Sequence, residues 1–301
     1  MRPSMKHLDT IILGAGAAGL FCAGSLLELS GAAARPEVLV IDHARAPGEK
    51  IRISGGGRCN FTNLATAPDR FLSQNPRFAA SALARFTAPD FVRLVDRAGI
   101  AWHEKAQGQL FCDGKATQIT RMLLDRMKGA ELRMETAPLS VRHDGMGFVV
   151  ETQGGAIHTE RLVVATGGKS IPKIGATGLA YDVAAQFGLR MIDTRAGLVP
   201  LTFAEQELAL CRPLAGVSVE ARIRHNGGQF RDALLFTHRG LSGPVILQIS
   251  SFWQPGETLQ IDLAPDYDVA AQLKAARSEA GRVAVSSALG RVLPARLATA
   301  I

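Results

Sequence analysis

The stretch DTIILGAGAAGLFCAGSLLELS, residues 9–30, constrains the fold more than any other part of the chain. Thr10–Leu13 is an unbroken apolar run of strand length, and Leu20 to Leu29 carry apolar residues at helical spacing. Between them stand Gly14, Gly16 and Gly19 in the pattern G-x-G-x-x-G. Gly14 permits a tight turn, Gly16 lets a pyrophosphate close on the backbone, and Gly19 lets the helix pack against the strand. Ala17 and Ala18 open the helix, where unpaired amides and the positive end of the dipole favour phosphate. A second apolar strand, EVLVID, ends at Asp42, placed where a carboxylate accepts hydrogen bonds from an adenosine ribose. Strand, glycine turn, helix, strand and acid together predict an α/β dinucleotide-binding domain. A plain glycine turn in an α/β protein is the competing reading, and the pattern does not decide between NAD and FAD.

A second glycine cluster follows in SGGGRCNFTN, residues 54–63. Three consecutive glycines lose much backbone entropy on folding, so they belong where something approaches the main chain closely. The longer segment GEKIRISGGGRCNFTN, residues 48–63, resembles the FAD-contacting segment of a bacterial flavoprotein family. That family is of the aminoacetone oxidase-like and bile-acid dehydro-reductase-like type, within the two-dinucleotide-binding superfamily of NAD(P)/FAD-dependent oxidoreductases. GIAWHEKAQGQLFCDGKA (99–116), LVVATGGKSIPKIGATGLAYDVAAQFGL (162–189) and LLFTHRGLSGPVILQIS (234–250) are similar to its later segments, so the resemblance spans nearly the whole chain. The resemblance implies that Gly55, Gly56 and Gly57 carry main-chain N–H groups towards the pyrophosphate and isoalloxazine of FAD. It makes Arg58 a fixed cation beside them, Asn60 and Asn63 amide partners, and Lys50 a phosphate or ribose contact. Thr166 and Gly167, in the ATGG element, approach FAD a second time. A glycine loop with a surface arginine, and a strand end with a Gly-Gly turn, are the plainer alternatives. Cys59, with no cysteine near it in sequence, reads as a small packed side chain.

Residues 76–99 predict two short helices, the second opened by Thr87-x-x-Asp90 and stopped by Gly99. His103 lies in a strand-like piece beyond and reads more as an ordinary histidine than as a catalytic acid. Residues 139–165 predict a β-meander with turns at Asp144-Gly145 and Gly154-Gly155. After Leu189 the texture changes. Residues 1–189 are expected to form a Rossmann-like FAD-binding domain, three-layered, with a mostly parallel sheet plus the meander. Residues 190–301 are expected to form a second, largely β insert domain that shapes a substrate pocket. Within it THRGLSGP, residues 237–244, brings forward His238 and Arg239 as candidates to face substrate, the catalytic residues being otherwise unknown. No second G-x-G-x-x-G follows a strand, so a nicotinamide that reduces the flavin must visit transiently. In the family the chain returns to the first domain through a Gly-Glu or Gly-Asp segment. SSALGRVLPARLATAI contains none, so the return segment is expected to be missing and one face of the flavin site open.

A net charge of +7 and a sequence pI near 9.6 bring nucleic acid forward as a partner. The basic residues are scattered, however, with no run of five and little aromatic interleaving, and nucleic acid is set aside. No apolar run is long enough to cross a bilayer, and MRPSMKHLDT lacks a signal-peptide hydrophobic segment, so a cytoplasmic protein is expected. The four cysteines have no CxxC spacing, which suggests neither a metal site nor a disulfide framework. The function that follows is an FAD-dependent oxidoreductase transferring a hydride between a small organic substrate and flavin, with NAD(P)H as a reductant. The alternatives are a non-catalytic flavin-binding module, or a pseudo-enzyme lacking the return segment. Substrate, direction of transfer and oligomeric state are not written in the sequence.

Overall fold

Two strands buried on both faces organise the first half of the chain. The computed structural model describes residues 7–31 and 35–301, the side chains of His7 and Ala280 excepted. In it β1 is His7–Leu13, α1 is Ala17–Leu29 and β2 is Val38–Ile41. Ile11, Leu13, Leu39 and Ile41 join one apolar cluster, while Ile12, Val38 and Val40 join another. That is the period-two alternation of a strand covered on both sides.

Beyond β2 come α2 (Glu49–Ile53), the triple-glycine turn, β3 (Asn60–Asn63), α3 (Ala80–Arg85) and α4 (Ala88–Arg97). Thr87 caps α4: its hydroxyl accepts from the Asp90 amide, and the Asp90 carboxylate accepts from the Thr87 amide at 2.7 Å. β4 (Trp102–Glu104) and β5 (Gln109–Cys112) pair antiparallel, and β3 joins the other edge of β5. α5 is Thr117–Arg126. It lies with α1 over one face of the large sheet, where Leu20, Ala23 and Leu27 meet Ile119, Met122 and Leu123. Arg126 fastens the two helices, with a bidentate contact to Glu28 and its guanidinium 4.7 Å from the Phe21 ring centre.

β6 (Glu131–Arg133), β7 (Pro138–His143), β8 (Phe148–Thr152) and β9 (Gly155–Val164) complete the six-stranded sheet in the order β6-β2-β1-β9-β8-β7. The first four strands in that order are parallel; β8 and β7 turn antiparallel. α6 (Leu179–Gln186) covers the second face through Leu179 and Val183. The three-layer, mostly parallel Rossmann-like architecture with a meander is the one the sequence predicts.

A second compact unit begins at Asp193. It contains β10 (Leu201–Thr202), α7 (Leu208–Cys211), β11 (Ser218–His225), β12 (Gly228–Thr237), β13 (Gly240–Ser242), α8 (Pro244–Ile249) and β14 (Gln260–Asp262). The strands form an antiparallel sheet in the order β10-β13-β12-β11-β14. Asn226 and Gly227, with φ of 36° and 82°, make the β11–β12 hairpin turn expected of Asn-Gly. Three helices follow that no expectation from sequence covered: α9 (Val269–Ala280), α10 (Val285–Leu289) and α11 (Ala295–Ala300). Leu297 of α11 enters the same core as Ile223, Leu234 and Ile249.

Two polar side chains are buried among the described residues of this unit, His225 and Ser250. His225 has Nδ1 3.1 Å from the Thr258 carbonyl oxygen and Nε2 2.7 Å from Glu257 Oε2. The Gln254 amide and, after it, His225 hold the Glu257 carboxyl below the usual carboxylate range. A carboxylate whose folded-state value is depressed stabilises the fold above its ordinary value, and loses that contribution as pH falls through the lower one. Glu257→Gln is therefore expected to melt earlier than the parent at neutral pH. The difference should narrow in acid, as read by thermal melts at the two pH values.

Candidate functional site

β1 and β9 are parallel neighbours, so the loops leaving their carboxyl ends lie side by side. The Ala165 amide donates to Leu13 O at 2.8 Å. A Cβ on Gly14 would fall 2.6 Å from the Ala165 carbonyl oxygen and 3.0 Å from Thr166 Cα. The GAGAAG turn and the ATGG turn thus meet at the edge where open α/β sheets bind their ligands. A third segment joins them. The Gly48 amide donates to Ala15 O at 2.9 Å, which seats the start of α2 on the same loop. α2 has five residues, about 8 Å of helix, and leads directly into the triple-glycine turn. Lys50, on α2, reaches the other way, its ammonium donating to Ser170 Oγ at 3.0 Å and to Gly168 O at 3.4 Å.

Asp42 does more than the sequence suggests. Its Oδ2 accepts from the Ala15 amide at 2.7 Å and its Oδ1 from the Ala44 amide at 2.8 Å, so the carboxylate holds the glycine turn in place. Each oxygen retains a second lone pair, which leaves room for a ribose hydroxyl. Ala17 and Ala18 are exposed in the first turn of α1. Gly16, at the N-cap, has nothing within 4 Å of where a Cβ would stand.

The triple glycine splits into two roles. Gly55, Gly56 and Gly57 have φ of 58°, 66° and 86°, a region that costs other residues about 1–2 kcal/mol each. At Gly55 a Cβ would lie 2.7 Å from both Asn60 N and Phe111 Cε1, so packing alone requires glycine. At Gly56 nothing lies within 4 Å. Arg58 and Asn60 are exposed beside it. Asn63 instead pins the loop beyond β3, where its Nδ2 donates to Gln107 O at 3.0 Å and its Oδ1 accepts from the Ala65 amide at 2.7 Å. Cys59 is buried, and burial pushes its thiol up; burial, and after it the neighbouring Cys59, pushes Cys112 to about 11. Neither thiol is activated.

The residues present fit a dinucleotide. Thr166 Oγ1, in the ATGG turn, is buried with no hydrogen-bond partner, as a group that serves a ligand would be. Gly16 and Gly56 each leave the backbone uncovered, with nothing within 4 Å of where a Cβ would stand. The structure also adds residues that no local pattern marks. Ser170 receives Lys50. The Tyr181 hydroxyl would lie 3.2 Å from a Cβ on Gly168, with Lys169 Nζ 4.9 Å from its ring centre. His43 would lie 2.5 Å, at Nε2, from a Cβ on Gly175. His103 is exposed, 2.6 Å from Asp113 Oδ1, and stacks on Phe111. His238 and Arg239 are exposed in the β12–β13 turn of the second unit, where Arg239 O accepts from the Phe203 amide.

A family profile described as the HI0933-like protein Rossmann domain matches residues 8–243. The chain belongs to the HI0933-like family. A second profile, the HI0933-like protein barrel and H2TH domain, matches residues 195–301. The HI0933-like chain thus has a Rossmann-like, FAD-binding α/β domain and a second domain built on strands and helices. It is 50% identical to "Ribosomal RNA dihydrouridine synthase" of Escherichia coli (strain K12), over 97% of this chain and 73% of that protein. It is 43% identical to the protein of the same name from Haemophilus influenzae, again over 97% and 73%. "3-dehydro-bile acid delta(4,6)-reductase" of Clostridium scindens is 25% identical, over 88% of this chain and 66% of that one. The resemblance to bile-acid reductases is therefore real but distant, and the two nearer relatives carry a more specific name. Among the described residues no helix is long and apolar enough to cross a membrane.

Proposed function

We propose that this HI0933-like chain is an FAD-dependent reductase that converts uridine in ribosomal RNA to dihydrouridine. The supporting observation is the meeting of the Gly14–Gly19 turn with the Ala165–Gly168 turn and with Gly48 at the start of α2, in a chain 50% identical to an rRNA dihydrouridine synthase. Dihydrouridine is uridine with a hydride added at C6 and a proton at C5 of the uracil ring, the double bond between them being lost. Reduced FAD supplies the hydride.

In this reading Gly16 and the amides of Ala17 and Ala18 receive the pyrophosphate, and Asp42 takes the adenosine ribose while steadying the turn. Gly56, Gly57, Arg58 and Asn60 border the ring system, where the arginine favours negative charge. Lys50 and the Thr166–Gly167 turn close the other side. NAD(P)H serves as external reductant and visits, since the second unit is an antiparallel sheet with helices rather than another dinucleotide fold. A small-molecule substrate, the expectation from sequence, gives way to RNA here on the strength of the two nearer relatives.

The test is direct. The purified chain is expected to hold FAD, to bleach with NADH or NADPH, and to form dihydrouridine in unmodified ribosomal RNA, detected in nucleoside digests by mass spectrometry. A colourless chain with no released FAD overturns the redox reading. Flavin that is reduced and reoxidised while RNA stays unchanged overturns the RNA substrate and returns a small-molecule oxidoreductase.

The glycines provide an independent check. Gly55→Ala is expected to lose flavin and to melt well below the parent, because left-handed strain adds to a backbone clash. Gly56→Ala carries only the strain, and should stay within about 2 kcal/mol of the parent in stability while retaining flavin poorly. Equal melting of the two variants would contradict the division of roles.

A further inference from the structure

Between β3 and α4 the chain makes an exposed excursion, residues 64–86, in which Arg-Phe occurs three times: Arg70-Phe71, Arg77-Phe78 and Arg85-Phe86. Both ends are fastened. The Leu64 amide donates to Gly108 O beside the Asn63 clasp, and Phe86 packs edge-on against Phe21 at 5.0 Å. In between, only Ala79 is buried.

The other two phenyl rings are not used by the fold. Phe71 is 47% exposed and Phe78 is 78% exposed. Aromatic surface left in water is unfavourable, and where it gathers it marks an interaction site. The charges beside the rings narrow the partner. Asp69, which lies 3.8 Å from Arg70, is the only acid from 64 to 86. Among the described residues no carboxylate lies within ion-pair distance of Arg77 or Arg85, and Arg85 bonds to Ser81 alone. Arg70 and Phe71 also wall a cavity of about 540 Å³ with Asn63, Ala65, Thr66 and Gln107. That volume lies in the range of small-ligand clefts, about 300–1,000 Å³.

Exposed rings interleaved with arginines, of which Arg77 and Arg85 have no carboxylate at ion-pair distance among the described residues, suit single-stranded RNA, whose splayed bases stack on aromatic faces while its phosphates take the cations. A duplex would hide the base faces that the rings require. The location suits the same partner: β3 covers about 13 Å, so the excursion begins one short strand from the triple-glycine turn.

We propose that residues 64–86 form the docking surface for single-stranded RNA, with Phe71 and Phe78 as base-stacking faces and Arg70, Arg77 and Arg85 as phosphate contacts. The cavity beside Phe71 seats one base flanking the nucleotide that reacts. The proposal rests on the RNA substrate proposed above.

The experiment measures fluorescence anisotropy of a short labelled single-stranded oligoribonucleotide with the whole chain, beside dihydrouridine formation by the same preparation. Phe71→Ala and Phe78→Ala are each expected to weaken binding about tenfold or more, the alanine cost of one stacked base. Phe78→Trp should bind as the parent does, because stacking needs an aromatic face rather than a phenyl ring. Arg77→Ala should flatten the dependence of log K on log salt by about 0.7, one single-strand phosphate contact. All three positions are exposed, and unchanged flavin content and melting confirm that each variant is folded. If the parent binds RNA and forms dihydrouridine while the alanine variants bind within about twofold of it, this surface is refuted and the RNA reading stands. If the parent neither binds RNA nor forms dihydrouridine, both fall together.

Discussion

Replacing Gly19 by alanine removes both the soluble fold of the first unit and its flavin. The added Cβ would stand 1.8 Å from Gly14 O, 3.0 Å from Gly14 C and 3.3 Å from Ile12 Cγ2. The obstacle is backbone, so no rotamer change relieves it. Nor can Gly14 retreat, since it lies against Ala165 and Thr166 just beyond the carboxyl end of β9. Overpacking by one group typically costs about 1–3 kcal/mol where side chains can shift; here a loop, a helix and a strand end must part together. Against a total stability on the order of 5–15 kcal/mol, a large fall in folded yield is expected. Gly16→Ala is the matching control, because its Cβ meets nothing within 4 Å. It should fold normally and lose only affinity for flavin. Size-exclusion chromatography, circular dichroism and visible absorbance distinguish the two. A folded, fully yellow Gly19→Ala protein would show that the turn is placed wrongly.

Asp42→Ala is expected to be the next most severe change. It removes the acceptor of two backbone amides, Ala15 at 2.7 Å and Ala44 at 2.8 Å. Hydrogen bonds to a charged group contribute about 1.5–3 kcal/mol each, and the half-buried amides left behind carry a desolvation penalty. For a unit of this size the melting temperature should fall on the order of 10 °C. Flavin retention should fall with it, since the freed Ala15–Gly16 segment is the one proposed above to receive the pyrophosphate. Asp42→Asn keeps one acceptor oxygen and should fall between the two. Calorimetric melts with flavin release as a second reading decide the matter; an Asp42→Ala protein melting within about 2 °C of the parent would leave the tether without a role.

What is legible in the chain is local. β1, the glycine turn, α1 and β2 declare themselves because apolar period, glycine spacing and Asp42 all fall within one short stretch. The meander announces its turns with Asp144-Gly145 and Gly154-Gly155. The long-range pairings are not legible. Nothing near Lys50 says that its ammonium ends on Gly168 and Ser170. Nothing near Asn63 says that its amide closes on Gln107. Asp42 reads as a ribose ligand, while its part in holding Ala15 stays hidden, because that bond depends on how β1 and β2 sit in register. α9 to α11 are obscure for a different reason: α9 and α11 are alanine-rich, α9 is only weakly two-faced, and α10 and α11 are five and six residues long. The RNA-docking surface proposed for residues 64–86 is hidden by averaging, since a charge scattered over the whole chain masks the few arginines that stand between exposed rings.

Thr166 leads to one consequence for anyone who would make this protein hardier. Its hydroxyl is enclosed without a partner, and a polar atom in that state weakens a fold by about 1–3 kcal/mol. A valine there would remove the deficit and would be favoured by any screen that selects for resistance to heat alone. In the proposed reading the same exchange would discard a hydroxyl that serves the cofactor. Robustness and competence pull in opposite directions at this one side chain, and a selection scheme blind to colour would choose the wrong winner.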